Sequence, residues 1–297
     1  MRVTASSFPN NLVNQLQQLT ARLNTLQQQA STGQRVIAPS DDPAASVRVL
    51  SYQSERNGLA QFQRNALRAE DILNATNAEI KNLLKVSERA NEVASLTNDV
   101  FNGDDMVVYA TEIDALLEQA LVNSNANFND EPLFGGATAN QRPFVATRDA
   151  QGRITSVAYV GSATVAQIQV AEGSSITPYS SPAENQQIAG FLNRLVSLRD
   201  ALNTRQAVNV RAVSNGLQAS EDDLILQLSG KGALLARVSV DKAQNALRYT
   251  DLAEQISRDA DVDLAQTVVQ LTQNQNAYQA ALMSASKVLN KSLLDYL

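Results

Sequence analysis

Two adjacent carboxylates, Asp41 and Asp42, stand between Pro39 and Pro43 in the stretch RVIAPSDDPAAS. A carboxylate pair could hold a divalent cation, but such a site needs several further oxygen ligands. The same residues fit the start of a helix. Aspartate is a favoured N-cap, acidic groups suit the positive end of the helix dipole, and proline is favoured in the first turn. Pro39, Ser40, Asp41, Asp42 and Pro43 therefore predict a helix cap and a chain joint. Asp259–Leu264, DADVDL, opens like a calcium loop, but Leu264 stands where the loop needs glycine and Gln270 where it needs glutamate. A cap for the following helix is the better reading. The stretch SGKG, Ser229 to Gly232, fails as a phosphate loop, with Ile225 in place of the first glycine and Gly232 in place of Ser or Thr. LFGG, Leu133 to Gly136, has no strand–helix unit around it and reads as a turn. Nothing positive supports an enzyme built on carboxylates such as Glu112 and Asp114. The chain has no cysteine and no histidine, which removes thiol nucleophiles, disulfides and the commonest general base. The expectation is a protein with no catalytic residues, no cofactor and no metal site.

The elements around these stretches are helical. The chain has 297 residues, 44% hydrophobic and 5% aromatic, with 12 Gly and 7 Pro, a profile that suits long helices. The net charge of −6 and the absence of a basic patch argue against nucleic acid as a partner. No run reaches the roughly 18 apolar residues of a membrane helix, and no secretory leader is visible at the N-terminus. Leu12, Leu16, Leu19, Leu23 and Leu26 step by 4 and 3 along one helix that stops at Gly33. A second run follows from Leu59 to Ala94 and stops near Gly103, and a third carries Val107 to Leu121. Asn125 to Phe144 is rich in turn residues. Residues 143–184 change character: Ala166, Ile168 and Val170 alternate with Gln167 and Gln169, and DAQG and GSA punctuate. They predict a small antiparallel β unit of about three strands.

Helix returns near residue 185, with a long run over about 208–258 and possible breaks at Gly216 and at SGKG. The last helix carries a seam of Leu264, Val268, Leu271, Gln275, Tyr278, Leu282, Ala285 and Leu289, and Leu293 and Leu297 extend its apolar set. Residues 264–286 hold no charge, yet are full of Gln, Asn, Thr and Ser. Helices of this kind are marginal alone and need partners. An uncharged polar back can enter a crowded interface without burying an unpaired charge. The fold class predicted is mainly α, a long antiparallel helical bundle with both termini paired, plus a small inserted β domain.

Paired heptad helices at both ends, a helical middle and a β insert resemble the flagellin superfamily. LNTLQQQASTGQRVIAPSDDPAAS and LAQTVVQLTQNQNAYQAALMSASKVLNKSLLDYL most resemble the hook-associated protein 3 family, the hook–filament junction proteins. So do the opening MRVT and the ending SLLDYL, and NANFNDEPLFGG is similar to the loop after the third helix in both groups. The resemblance implies a terminal coiled-coil assembly domain over 1–34 and 264–297, a helical domain over 43–142 and 185–262, and an outward β insert over 143–184. It implies a structural subunit that is no enzyme, exported by the flagellar type III route to an extracellular place in the flagellum. Its implied partners are copies of itself in a ring or tube, hook-associated protein 1, flagellin and an export chaperone. The assembly contacts expected are Leu12, Leu16, Leu19, Leu23, Leu26, Leu264, Val268, Leu271, Tyr278, Leu282, Leu289, Leu293 and Leu297. A filament flagellin is the alternative.

Overall fold

The computed structural model describes the backbone of residues 7–96, 103–137 and 141–294, and the side chains of all these except 7–10, 103 and 288–294. In chain order the elements are α1 (Ser7–Thr32), α2 (Pro43–Leu96), α3 (Gly103–Ser124), β1 (Asn127–Phe128), β2 (Glu131–Pro132), β3 (Phe144–Arg148), β4 (Ile154–Tyr159), β5 (Ile168–Ala171), β6 (Ser174–Ile176), α4 (Pro182–Asn203), α5 (Ala207–Ala260) and α6 (Leu264–Leu294). The fold is mainly α with a small set of antiparallel strand pairs, as the patterning predicts.

The helix ends follow from local chemistry. Asp42 Oδ1 accepts from the Ala45 amide at 3.0 Å, with Pro43 at the first helical position of α2. Asp263 Oδ1 likewise accepts from the Gln266 amide at 3.1 Å and caps α6. At α4 a reciprocal box forms, in which the Ser181 amide donates to Glu184 and the Glu184 amide donates to Ser181 Oγ. Gly33 closes α1 at a φ of +70, donating to the Gln29 carbonyl at 2.9 Å.

Two compact units emerge. One holds residues 1–58 and 248–297, the other residues 59–247, and α2 and α5 each have residues in both. The core of the second unit is built from Ile72, Ile80 and Leu83 of α2, Ile113 and Leu117 of α3, and Phe191, Leu192, Leu195 and Leu198 of α4. Phe134, from the LFGG turn, meets Phe144 of β3 edge-on at 6.4 Å. A smaller cluster seats the β5–β6 hairpin through Val170 and Ile176 on Ala66, Ala69, Leu73 and Val238.

The strands differ from one three-stranded unit. They form three separate antiparallel pairs, β1–β2, β3–β4 and β5–β6. The reason lies at the edges of the β3–β4 hairpin. Asn125 takes the Phe144 amide and gives its own N–H to the Phe144 carbonyl, both at 3.0 Å. Asn193 does the same to Val157, at 2.9 and 2.7 Å. Each amide side chain imitates one residue of a neighbouring strand, so no further strand is needed there. On β5, the Gln169 and Val170 carbonyls are taken by Asn65 and Asn245, each at 2.8 Å.

The breaks predicted in the fifth helix are absent, and α5 runs unbroken over Ala207–Ala260. A glycine costs a helix interior about 1 kcal/mol relative to alanine. Tertiary contacts offset that here. Lys231, within SGKG and only 3% exposed, gives its ammonium to Glu184 at 3.0 Å and to the Tyr179 carbonyl at 3.1 Å. Gly216 lies against the Arg194 side chain.

Candidate assembly surface

The residues expected to make assembly contacts all belong to the unit that holds both chain ends. There α1 packs against α6. On α1 the leucines take the seam: Leu26 is buried and Leu12, Leu16, Leu19 and Leu23 are half-buried. On α6 the least exposed line runs Thr267, Leu271, Asn274, Tyr278, Ala281 and Ala285, in steps of 4 and 3, with Thr267 and Ala285 buried and the others half-buried. This is not the line of largest apolar side chains. Leu271, Tyr278 and Ala285 of the predicted seam belong to it, whereas Leu264 at 50%, Val268 at 51% and Leu282 at 44% remain exposed. They form a second, outward stripe with Met283 beside them at 67%. The side chains of Leu289 and Leu293 and the whole of Leu297 lie outside the described residues.

Small and polar residues share this line with Leu271 and Tyr278, because two close-packed helices leave little room between them. Thr267 satisfies its hydroxyl within the helix, donating to the Asp263 carbonyl at 2.7 Å, and Asn274 does the same to the Gln270 carbonyl at 2.8 Å. Polar residues can therefore face α1 without leaving donors unpaired.

The joint is a second feature of this unit. Between α1 and α2 the chain runs beside the α5–α6 link. The Arg35 amide donates to the Ala260 carbonyl at 2.6 Å and the Val262 amide to the Gly33 carbonyl at 2.9 Å. Arg35 gives one guanidinium N–H to Asp42 at 3.1 Å and another to the Asp259 carbonyl at 2.8 Å. Arg48 grips the Asp259 carboxylate with two N–H groups, at 2.9 and 3.0 Å. Asp41 turns back and accepts from the Ile37 and Ala38 amides at 3.1 and 2.8 Å. Asp42 thus titrates below the ordinary carboxylate range, first because of the Ala45 amide and then because of Arg35. Asp259 is lowered chiefly by its hydrogen bonds from Arg48. Pro39 and Ser40 are exposed on the turn. Both aspartates are consumed by backbone amides and arginines, and among the described residues no group of three or more acidic side chains converges as a metal cage.

The contacts of Arg35, Arg48 and Asp259 at the joint are ones that sequence reasoning misses. Arg48 and Asp259 lie 211 residues apart, and no local signal links them. The alternative line of α6 is missed because a search for apolar residues passes over Thr267 and Asn274. An apolar groove also borders the joint, lined by Val36, Ile37, Val49, Leu50 and Ile256, with a volume of about 180 Å³. Among the described residues no helix is long and apolar enough to cross a membrane.

Residues 5–139 match the model of the bacterial flagellin N-terminal helical region. The chain is 24% identical over 281 residues to the flagellar filament core protein flaB2 of Brachyspira hyodysenteriae, covering 89% of this chain and 88% of that protein. Among solved structures, a flagellar hook-associated protein from Vibrio parahaemolyticus shares the fold at a TM-score of 0.65 and 15% identity, covering 74% of this chain and 100% of that one. FlgL of Bacillus cereus does so at 0.59 and 15%, covering 70% and 99%. Hook-associated protein 3 of Legionella pneumophila does so at 0.57 and 12%, covering 71% and 98%. The chain is thus similar to bacterial flagellins over its N-terminal helical region and to a flagellar filament protein along most of its length, and it shares the fold of flagellar hook-associated proteins.

Proposed function

We propose that the chain is the adaptor subunit at the hook–filament junction, joining copies of itself into a ring or tube through its terminal helices after type III export. One observation carries the self-assembly part. Once α1 has covered one line of α6, the helix still presents Leu264, Val268 and Leu282 to solvent on a surface with no charge between residues 264 and 286. An exposed, uncharged apolar stripe marks a surface meant to be covered. In this reading residues 1–34 and 264–297 form the inner assembly layer, residues 43–142 and 185–262 the next, and 143–184 the outward insert. Asp42, Pro43 and their arginine partners fix the joint between the layers. Hook-associated protein 1 and flagellin are the neighbours, and an export chaperone shields the C-terminal region before secretion. No catalysis is involved.

The junction assignment is favoured over a filament subunit by the resemblance of PSDDPAA and SLLDYL to the junction proteins. The filament reading keeps one observation of its own, since the relative from Brachyspira is named a filament protein. Electron micrographs of cells lacking the chain decide between them. Hooks without filaments, with intact flagellin in the medium, are the expected result. Attached filaments of normal length would overturn the junction role, and long filaments grown from the purified chain alone would favour the alternative.

A further inference from the structure

Within the larger unit α5 crosses two separate hydrophobic clusters. Leu224 and Leu228 pack in the large one around Ile80, Phe191 and Leu195, and Leu234, Leu235 and Val238 pack in the small one that seats the β5–β6 hairpin. The stretch between them, residues 229–233, buries a single side chain, that of Lys231. Ser229, Gly230, Gly232 and Ala233 are all exposed. Neither glycine is there to admit a neighbour, since nothing stands within 4 Å of where its side chain would begin. Glycine and serine are the residues at which helices bend, because glycine has no side chain to restrict the backbone and serine competes for its hydrogen bonds. α2 crosses both clusters too, at Leu73 and Ile80, and its one glycine, Gly58, lies outside them.

The bonds that hold the stretch are polar. Lys231 gives its ammonium to the Tyr179 carbonyl and to Glu184 Oε2. Gln227, one turn earlier and also buried, gives its amide to the Glu184 carbonyl at 3.2 Å and to Gln187 at 3.0 Å. Glu184 Oε2 accepts from the Ser181 amide as well, so one carboxylate serves both the cap of α4 and the middle of α5. The seam is incompletely paired. Ser180 Oγ and Gln227 Oε1 are buried without a hydrogen-bond partner among the described residues. Such groups raise the energy of the closed seam, and water that reached them on opening would lower it.

We propose that residues 229–232 are a hinge in α5 that Lys231 pins straight. With the ammonium seated, the helix is continuous from one cluster to the other. With it released, Gly230 and Gly232 let α5 divide into two segments, one seated on each cluster, while α2 stays whole beneath both. The hinge does not depend on how copies of the chain assemble.

The chain has no cysteine, so introduced thiols can be labelled alone. Leu226 and Val240, both exposed, flank the stretch. With both changed to cysteine and spin-labelled, pulsed electron resonance on the full chain should read one narrow distance distribution, since a continuous helix rises about 21 Å over that span. Lys231→Met keeps an unbranched side chain and removes the charge. It should at least about double the width of that distribution and speed hydrogen exchange of the amides at 229–233 at least about tenfold. Adding Gly230→Ala and Gly232→Ala should return both readings to those of the parent. An unchanged distribution in Lys231→Met overturns the pin. A broadened one that the two alanines fail to narrow overturns the hinge. Faster exchange spread evenly over α4 and α5 also overturns it, since that marks general loosening. Should circular dichroism show Lys231→Met unfolded, Glu184→Gln replaces it under the same criteria, because glutamine keeps an acceptor for the Ser181 amide and removes the charge opposite Lys231.

Discussion

Asp259 takes three hydrogen bonds at the joint. Its carboxylate takes two bonds from Arg48 and its carbonyl takes a third from Arg35. Because Asp259 and Asp42 titrate lower when folded than an ordinary aspartate at about 3.9, folding favours their deprotonated forms. Their contribution is complete above that unfolded value and is lost as pH falls through the lower folded values. Asp259→Asn should therefore melt below the wild type at neutral pH, and the gap should shrink below about pH 4. Thermal melts followed by circular dichroism between pH 7 and 2.5 check this, and a gap of constant width would mean the carboxylate charge is not the cause. Both groups are exposed enough that 1 M salt should narrow the gap as well. The caps were legible at this scale, since Asp42 before Pro43 and Asp263 before Leu264 follow from residue type and position alone. The arginine grips were not legible, because a carboxylate and a guanidinium 211 residues apart meet only after two helices have been laid side by side.

At the scale of elements, α5 shows how packing overrides propensity. Ser229-Gly230-Lys231-Gly232 reads as a break, and Gly230 and Gly232 are exposed with nothing within 4 Å of where a side chain would begin. They are helical because Lys231 between them is anchored to Glu184 and Tyr179. Gly230→Ala and Gly232→Ala should each raise stability by about 0.5–1 kcal/mol, measured by urea denaturation. Loss of stability instead would mean that the backbone here needs glycine. The two terminal helices were legible as a pair, since both carry steps of 4 and 3. Which line of α6 meets α1 was not. Apolar size points to Leu264, Val268 and Leu282, while the fit against α1 selects Thr267, Asn274 and Ala281, which are smaller or satisfy themselves along the helix. The β region was legible as antiparallel from its alternation and turns. Its division into hairpins was not, because Asn125 and Asn193 reach it from flanking helical segments.

Across the whole molecule the two units differ in what supports them. Residues 59–247 contain the clusters around Phe134, Phe191 and Leu195, whereas α1 and α6 share a seam with few fully buried side chains. Removing residues 1–34 should leave the larger unit folded and cooperative while abolishing entry into flagella. Circular dichroism of the purified fragment and micrographs of cells that make it check the two halves, and attached filaments of full length would refute the role given to α1. The paired amides of Asn125 and Asn193 have a bearing on this crowded setting. Polymers of many identical copies bring like hairpins into repeated collision, and exposed ladder rungs would let them zip edge to edge into insoluble cross-strand stacks. Two neutral amides occupy such rungs at no charge, so the β3–β4 hairpin can jostle its siblings without fusing to them.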